Sequence, residues 1–310
     1  MKPRIYSVLI PYLTVLALVL NLGCDSSDQT ALAEPAWEGL YQRAQTARAG
    51  GHYSQAESLF VEAVATAALP PNDTRHLQIL HYLAELRALR GATTAADSLY
   101  RLLLDRQQDL PPYHPLQTAA LSNWARLHRQ GGQYGRADSL LQQALTGLRR
   151  NPDRRDVRLR QILDQLSDNH RAQKHFVQAE SLATLALGHK LRDQGYEHFL
   201  QQRYQQAETF YQRALKTQRR ALGAGHISLA AAQLDLAQLS RAQDQLQQAE
   251  NHYKKALSLF QRHPDQEPAA QLEALDNYAN LLHQIKRPEE AAAMEEQARQ
   301  LRTQSSFGTP

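Results

Sequence analysis

The residues that could carry metal or nucleophilic chemistry are spread thinly along this sequence of 310 residues. Thirteen histidines occur, and the closest pairs, His76/His81 and His170/His175, are each five residues apart. Two ligands on one helix face need a spacing of about three or four residues, so these pairs do not predict a metal site. No HExxH, GxSxG or phosphate-binding glycine loop is present, and Gly223-Ala224-Gly225 has no strand before it. We therefore expect no enzyme activity, no metal, no cofactor and no small-molecule substrate.

The single cysteine, Cys24, ends an apolar run near the start of the chain. The run from Val8 to Leu20 follows two basic residues and is shorter than the roughly 20 residues of a spanning helix, which is typical of a secretory signal. Gly23-Cys24 resembles the end of a bacterial lipoprotein signal. This resemblance implies a signal peptide over residues 1–23, lipidation of Cys24 and a polar tether over residues 24–36. An ordinary signal peptide, or an uncleaved anchor with a stray cysteine, is the alternative.

A second pattern divides the rest of the chain into seven similar units. In six of them a second alanine lies seven residues after the first, and in the unit that begins at Ala96 the second position holds Leu103. The six pairs are Ala56/Ala63, Ala137/Ala144, Ala179/Ala186, Ala207/Ala214, Ala249/Ala256 and Ala291/Ala298. The first alanines are 40, 41, 42, 28, 42 and 42 residues apart. Such self-similarity predicts stacked supersecondary units, each of which buries its apolar face against its neighbours.

Each unit is predicted to be a pair of helices joined by a turn. Residues seven apart lie near one face of a helix, and alanine at both positions lets a neighbouring helix approach closely. Before most units comes a first-helix pattern of apolar, two mostly polar, apolar and small residues, as in Leu121 to Ala125. Gly51, Gly91 and Gly131-Gly132 lie between the two patterns, where glycine ends a helix without the steric cost of left-handed backbone.

These residues resemble the tetratricopeptide repeat. The first unit carries the turn glycine and tyrosine and then the alanine, aromatic and alanine of that repeat: Gly51, Tyr53, Ala56, Phe60 and Ala63. The step of 42, with Leu222 to His226 before a first helix, resembles the longer repeat of kinesin light chains and their bacterial relatives. The resemblance covers residues 37–302 and implies an all-α, right-handed α-solenoid of about seven helix-turn-helix units. Residues 303–310 are predicted to be a disordered tail.

One step in the series, the 28 residues between Ala179 and Ala207, is shorter than the others by about one helix. The stretch from Leu191 to Gln202 must therefore supply a shortened first helix for the fifth pair, or that helix is missing. We expect a weakly packed joint between about Arg192 and Gln202, because each interface in such an array contributes separately to stability.

The resemblance also implies where a partner would bind. In tetratricopeptide stacks the first helices line the concave face, and the residues one before and two after the middle apolar residue point into the groove. Here these are amides and charges, which suit hydrogen bonding to an extended peptide. The candidate set is Asn123, Arg126, Gln165, Asp168, Asp235, Gln238, Asn277 and Asn280. An outward polar position on any surface helix has the same pattern, so an ordinary surface role is the alternative.

The charge balance is close to even, with 35 basic against 31 acidic side chains. Nucleic-acid binders usually carry a stronger basic excess, so we expect no nucleic-acid partner. Six arginines lie between Arg149 and Arg160. They fit a solvated loop, and the alternative is contact with anionic lipid or an acidic partner.

Taken with the lipoprotein resemblance, the repeats predict a membrane-anchored protein–protein interaction scaffold of the bacterial envelope, with a protein or peptide partner. The membrane leaflet is left open. A pilotin-like assembly factor for a secretion or pilus machine is one alternative. A regulator of a separately encoded protease or signalling protein is the other.

Overall fold

The computed structural model describes residues 36–67, 69–108, 110–151, 157–264 and 266–307. These residues form helices and turns and contain no strand. The helices are α1 (Ala36–Ala49), α2 (Tyr53–Thr66), α3 (Thr74–Leu89), α4 (Thr93–Arg106), α5 (Pro115–Gln130), α6 (Tyr134–Arg149), α7 (Val157–Ala172), α8 (Phe176–Leu200), α9 (Tyr204–Leu222), α10 (Ser228–Ala242), α11 (Leu246–Arg262), α12 (Pro268–Gln284) and α13 (Pro288–Phe307). The predicted signal peptide, Cys24 and nearly all of the tether lie outside the described residues. Within the described ranges, no helix is long and apolar enough to cross a membrane.

Seven of the turns contain one residue with left-handed backbone. These residues are Gly51, Gly91, Gly132, Lys174, Gln202, Asp244 and Lys286, with φ between +59° and +78°. Each lies five residues before the first alanine of its unit, so the turns repeat with the same spacing as the alanines. The chain is therefore an all-α repeat solenoid, as the alanine spacing predicted.

The paired alanines form the contact surface between helices. Every member of the pairs is at most 3% exposed. Larger side chains between them, such as Phe60, Tyr100 and Tyr211, are also fully buried and fill the centre of each contact. Small residues at both ends with a large one between allow close approach without leaving a void.

The fifth pair has a first helix, but this helix is continuous with the second helix of the fourth pair. Helix α8 runs unbroken for 25 residues, whereas α6 has 16. It contains Ala179 and Ala186 in its first half and ends just before the fifth left-handed turn residue, Gln202. The short step therefore results from the loss of a turn, so that one long helix serves two units.

Two glycines let α8 pack tightly against α9. A Cβ atom on Gly195 would lie 2.5 Å from Cε1 of Tyr211, and one on Gly188 would lie 2.1 Å from Nε2 of Gln218. Arg192, between the two glycines, is 2% exposed. These contacts correct the expectation of a weakly packed joint: no side chain fits at either glycine, because α9 already occupies the space.

The continuity of α8 reverses the direction of the first helices. Consecutive helices joined by short turns run antiparallel, so every second helix runs the same way. The first helices are α1, α3, α5 and α7 before the junction, but α8, α10 and α12 after it. We call α1–α7 the N-terminal arm and α9–α13 the C-terminal arm, with α8 shared. First helices in the two arms therefore run in opposite directions.

The last helix begins at Pro288, a residue that suits the first position of a helix because its missing N–H needs no partner there. The helix continues to Phe307. It therefore includes the first five residues of the tail that was predicted to be disordered over residues 303–310. Residues 308–310 lie outside the described part of the chain.

Candidate peptide-binding groove

Polar side chains predicted for the groove lie in a connected row along the N-terminal arm. Nδ2 of Asn123 on α5 is 3.4 Å from Nε2 of His81 on α3. Oε1 of Gln165 on α7 accepts a hydrogen bond of 3.0 Å from Oγ of Ser122 on α5. Asp168, further along α7, is exposed. Three successive first helices thus present one continuous polar strip.

Arg126 carries the charge at the centre of this strip. It is half-buried and makes no hydrogen bond or ion pair with any described residue. Burial lowers the pKa of His81 to about 4, with further contributions from Arg48 and Arg126. The His81 ring is therefore neutral at neutral pH and can accept a hydrogen bond from the Asn123 amide. Arg126 is thus the fixed positive charge of the strip that has no anionic partner among these residues.

Two further groove residues were not predicted from the sequence. Tyr82 and Glu85 hold on α3 the positions that Asn123 and Arg126 hold on α5, so the same offset rule would have found them. Nη1 of Arg48 is 3.3 Å from Oε2 of Glu85, and its guanidinium lies 4.6 Å from the centre of the Tyr82 ring. The α3 segment of the strip is therefore aromatic and internally charge-paired.

In the C-terminal arm, the predicted groove residue Asp235 is buried in an ion pair. Its carboxylate is 2.5 Å from Nε of Arg192, and the two side chains are 0% and 3% exposed. Twelve of the fifteen residues of α10 are buried, and many are alanine or serine, which lets neighbouring helices surround α10 closely. This burial corrects the expectation that Asp235 lies on an open groove. The small and apolar run from Leu229 to Ala232 was the signal for it.

The other candidates of this arm are separated from those of the N-terminal arm. Nε2 of Gln238 donates a 2.9 Å hydrogen bond to Oε1 of Glu273. Asn277 is half-buried and Asn280 is exposed on α12. The eight predicted residues are thus not one site: four share the strip on α5 and α7, and the rest belong to the reversed helices.

The closely spaced histidines do not converge as ligands. Nε2 of His170 is 3.3 Å from Asp138, and Nε2 of His76 is 3.3 Å from Nη1 of Arg106. In the part of the chain that the structure describes, no three His, Cys, Asp or Glu side chains are grouped so that they could hold a metal ion.

Two segments match family models described as tetratricopeptide repeat, residues 120–156 and residues 194–262. These two segments of the chain are therefore tetratricopeptide repeats. The second match begins inside α8, which agrees with the assignment of the end of that helix to the fifth repeat. No curated protein matches the chain.

Several solved structures resemble the chain at low sequence identity. A kinesin light chain with nearly identical repeats from Podosopora anserina is 20% identical, with a TM-score of 0.41 over 73% of this chain and 95% of that one. BtubC from P. vanneervenii is 20% identical, with a TM-score of 0.34 over 89% and 94%. The TPR2AB domain of yeast Sti1, in its pHSP90 complex, is 14% identical, with a TM-score of 0.36 over 86% and 98%. Similarity at this level identifies no partner for this chain.

Proposed function

We propose that the chain is a membrane-anchored scaffold of the bacterial envelope that holds an extended segment of a partner protein along the N-terminal arm. Stacked repeats form extended concave surfaces that proteins use for binding, which supports the scaffold role. One observation carries the location: Arg126 is half-buried, has no anionic partner among the described residues, and lies on the same strip as Asn123 and Gln165.

The chemistry of the strip suits an acidic peptide. An extended segment has unpaired backbone N–H and C=O groups, and the side-chain amides of Asn123 and Gln165 can both donate and accept. Such bonds contribute about 0.5–1.5 kcal/mol each, and bonds to a charged group about 1.5–3 kcal/mol. Arg126 therefore supplies the largest single contribution when the partner places a carboxylate beside it.

The C-terminal arm supports this location by contrast. The carboxylate of Asp235 already has its partner in Arg192, and Gln238 is bonded to Glu273. A peptide that followed the N-terminal arm would also meet first helices of opposite direction beyond α8. The proposed groove therefore ends at α7.

Site-specific photocrosslinking in cells tests the location. The probe p-benzoylphenylalanine is placed at Asp168, in the strip, and at Gln142, exposed on the second helix α6. We expect an adduct with a partner segment from position 168 and none from position 142. Arg126→Ala should weaken that adduct by about tenfold or more, whereas Arg213→Ala, which removes an exposed charge from α9, should leave it intact. Equal adducts from both probe positions, or an adduct as strong in Arg126→Ala as in the wild type, contradict the groove.

The membrane anchor rests on Gly23-Cys24 after the apolar run. Lipid chains paired on one cysteine hold a protein at a bilayer more firmly than a single chain does. Cells are labelled with an alkyne fatty acid and fractionated. We expect the wild-type chain to take up label and sediment with membranes, and Cys24→Ser to take up none. An unlabelled and soluble wild type shows that the anchor is wrong, and does not affect the groove.

A further inference from the structure

A second polar cleft lies between α9, α10 and α11, apart from the strip of the N-terminal arm. Its volume is about 330 Å³. It is lined by four basic residues and no acidic one: Arg219, Lys254, Lys255 and Arg262, with Gln233 and Ser258 among the remainder. This concentration of one charge sign makes the cleft a candidate site for an anion.

Most of this positive charge has no internal partner. Lys254 is paired with Glu250 at 2.6 Å. Arg219, Lys255 and Arg262 make no hydrogen bond or ion pair with any described residue, and all three are exposed. Arginines in the last turns of α9 and α11 also stabilise the carbonyl ends of those helices. That role does not explain Lys255, which lies in the middle of α11.

The floor of the cleft is fixed by buried groups. Gln233 is 3% exposed, and its Oε1 is 2.7 Å from Nδ1 of His252. Leu229 and Leu259 are buried beside it. The basic side chains therefore surround a rigid floor with a polar group in it.

The mouth of the cleft is set by the turn between α9 and α10. Gly223 has a φ of +92° and a ψ of 160°, a combination that glycine adopts without strain. The carbonyl of Gly225 is 3.0 Å from Nε2 of His263. Burial lowers the pKa of His226 in this turn, and His263 and Arg149 lower it further, so additional positive charge from α6 lies nearby.

We propose that this cleft binds a phosphate-bearing anion. A phosphate group presents several acceptor oxygens to the planar forks of Arg219 and Arg262, while Lys255 adds a compact charge. Bringing a dianion into the cleft relieves the mutual repulsion of these cations. The phosphate can come from a free phosphate compound or from the headgroup of an anionic phospholipid. This site is separate from the peptide groove and does not depend on it.

Isothermal titration calorimetry on the full chain in neutral detergent tests the proposal. The probes are inorganic pyrophosphate and dihexanoyl phosphatidylglycerol, with zwitterionic dihexanoyl phosphatidylcholine as the control lipid. We expect saturable binding of at least one anionic probe. Binding of pyrophosphate assigns a free phosphate compound, and binding of phosphatidylglycerol over phosphatidylcholine assigns a headgroup.

Two double variants locate the site. Arg219→Ala with Arg262→Ala should weaken binding by about tenfold or more, since the variant loses the charge-assisted bonds of both guanidinium groups to the phosphate. Lys216→Ala with Arg220→Ala removes the same charge from exposed positions of α9 outside the cleft and should leave affinity unchanged. All four side chains are exposed, so both variants should melt like the wild type. The proposal is overturned if neither anionic probe binds, or if the two variants lose affinity equally. It is also overturned if pyrophosphate does not bind and the two lipids bind equally.

Discussion

The two arms have the same repeat, but they differ in how deeply they bury the polar residues of their first helices. In the N-terminal arm Asn123 and Gln165, which hold the position that Asp235 holds in its repeat, are half-buried and lie on the polar strip. In the C-terminal arm Asp235 is fully buried against Arg192. One repeat position therefore serves a surface in one arm and the interior in the other. Its role is decided by what packs over it, which the repeat pattern alone does not specify.

The difference has its origin in α8. Because this helix serves both the fourth and the fifth repeat, Arg192 lies against α10 and forms an ion pair with Asp235. In the N-terminal arm every repeat keeps its own two helices, and the first helices α3, α5 and α7 stay beside one another with a polar strip outside. Changes of a first-helix aspartate in each arm can separate these roles.

The largest expected effect is at Asp235. Asp235→Ala leaves the buried guanidinium of Arg192 without its carboxylate, and loss of one partner of a buried pair typically destabilises by about 3–5 kcal/mol. Asp168→Ala in the N-terminal arm removes two exposed ion pairs, at 3.6 and 3.7 Å, and should change stability by less than about 1 kcal/mol. Urea unfolding of the two variants measures both. Equal effects would show that Asp235 is not a stability determinant of its arm.

A double variant that removes both charges tests the cause of this destabilisation. Arg192→Met combined with Asp235→Leu replaces the pair with apolar groups of similar size, a change that is often neutral or stabilising for buried pairs. We expect the double variant to recover most of the stability lost in Asp235→Ala. A double variant as unstable as the single one would mean that packing, and not an uncompensated charge, sets the effect.

A pH-dependent effect is expected from His81 in the N-terminal arm. Burial lowers its pKa to about 4, whereas the unfolded chain binds the proton near the ordinary value of 6.5. Between these values the unfolded state holds more protons, so stability is full above about pH 6.5 and falls as the pH is lowered towards 4. The shift corresponds to about 3 kcal/mol.

Replacement of His81 isolates its share of the pH dependence. His76, His114, His226 and His252 also have lowered pKa values, so the wild-type curve sums several groups. We expect His81→Gln to be less stable than the wild type at pH 7 but to lose less stability between pH 6.5 and 4. Parallel curves for the two proteins would show that His81 has the same pKa in the folded and the unfolded chain.

A third effect, of about 1–3 kcal/mol, is expected where α8 meets α9. Gly195→Ala places a Cβ atom 2.5 Å from the buried ring of Tyr211, which must move, and overpacking of this kind destabilises by that amount. Gly39→Ala in α1 is the control, because nothing lies within 4 Å of its added methyl and alanine favours a helix by about 0.5–1 kcal/mol. Thermal melting should show opposite signs. Hydrogen exchange of wild-type α8 should be slow up to about residue 199.

Much of the fold follows from residue spacing. Alanines seven apart predicted the contacts between helices, and Gly51 and Gly91 predicted the turns, because these features depend on residues close in sequence. The step of 28 residues indicated that about one helix was missing from the series. It did not indicate that α8 stays continuous across Gly188 and Gly195. The pairing of Arg192 with Asp235 depends on helices brought together by that continuity, so no local pattern indicated it.

Two turns provide the smallest and most closely matched comparison, one within the N-terminal arm and one where that arm joins α8. Gly91 in the N-terminal arm has φ of +78°, whereas Lys174, the equivalent residue before α8, has φ of +62° and already bears the strain of a side chain in left-handed backbone. Gly91→Ala should therefore destabilise by about 1 kcal/mol, because nothing lies within 4 Å of the added methyl and only the backbone strain changes. Lys174→Ala should be within about 0.5 kcal/mol of the wild type, since alanine bears the same strain as lysine. Urea midpoints of the two variants, with unchanged denaturant slopes, check this. Equal losses would mean that the side chain of Lys174 stabilises its turn by a contact, and that conformational strain is not what distinguishes the two turns.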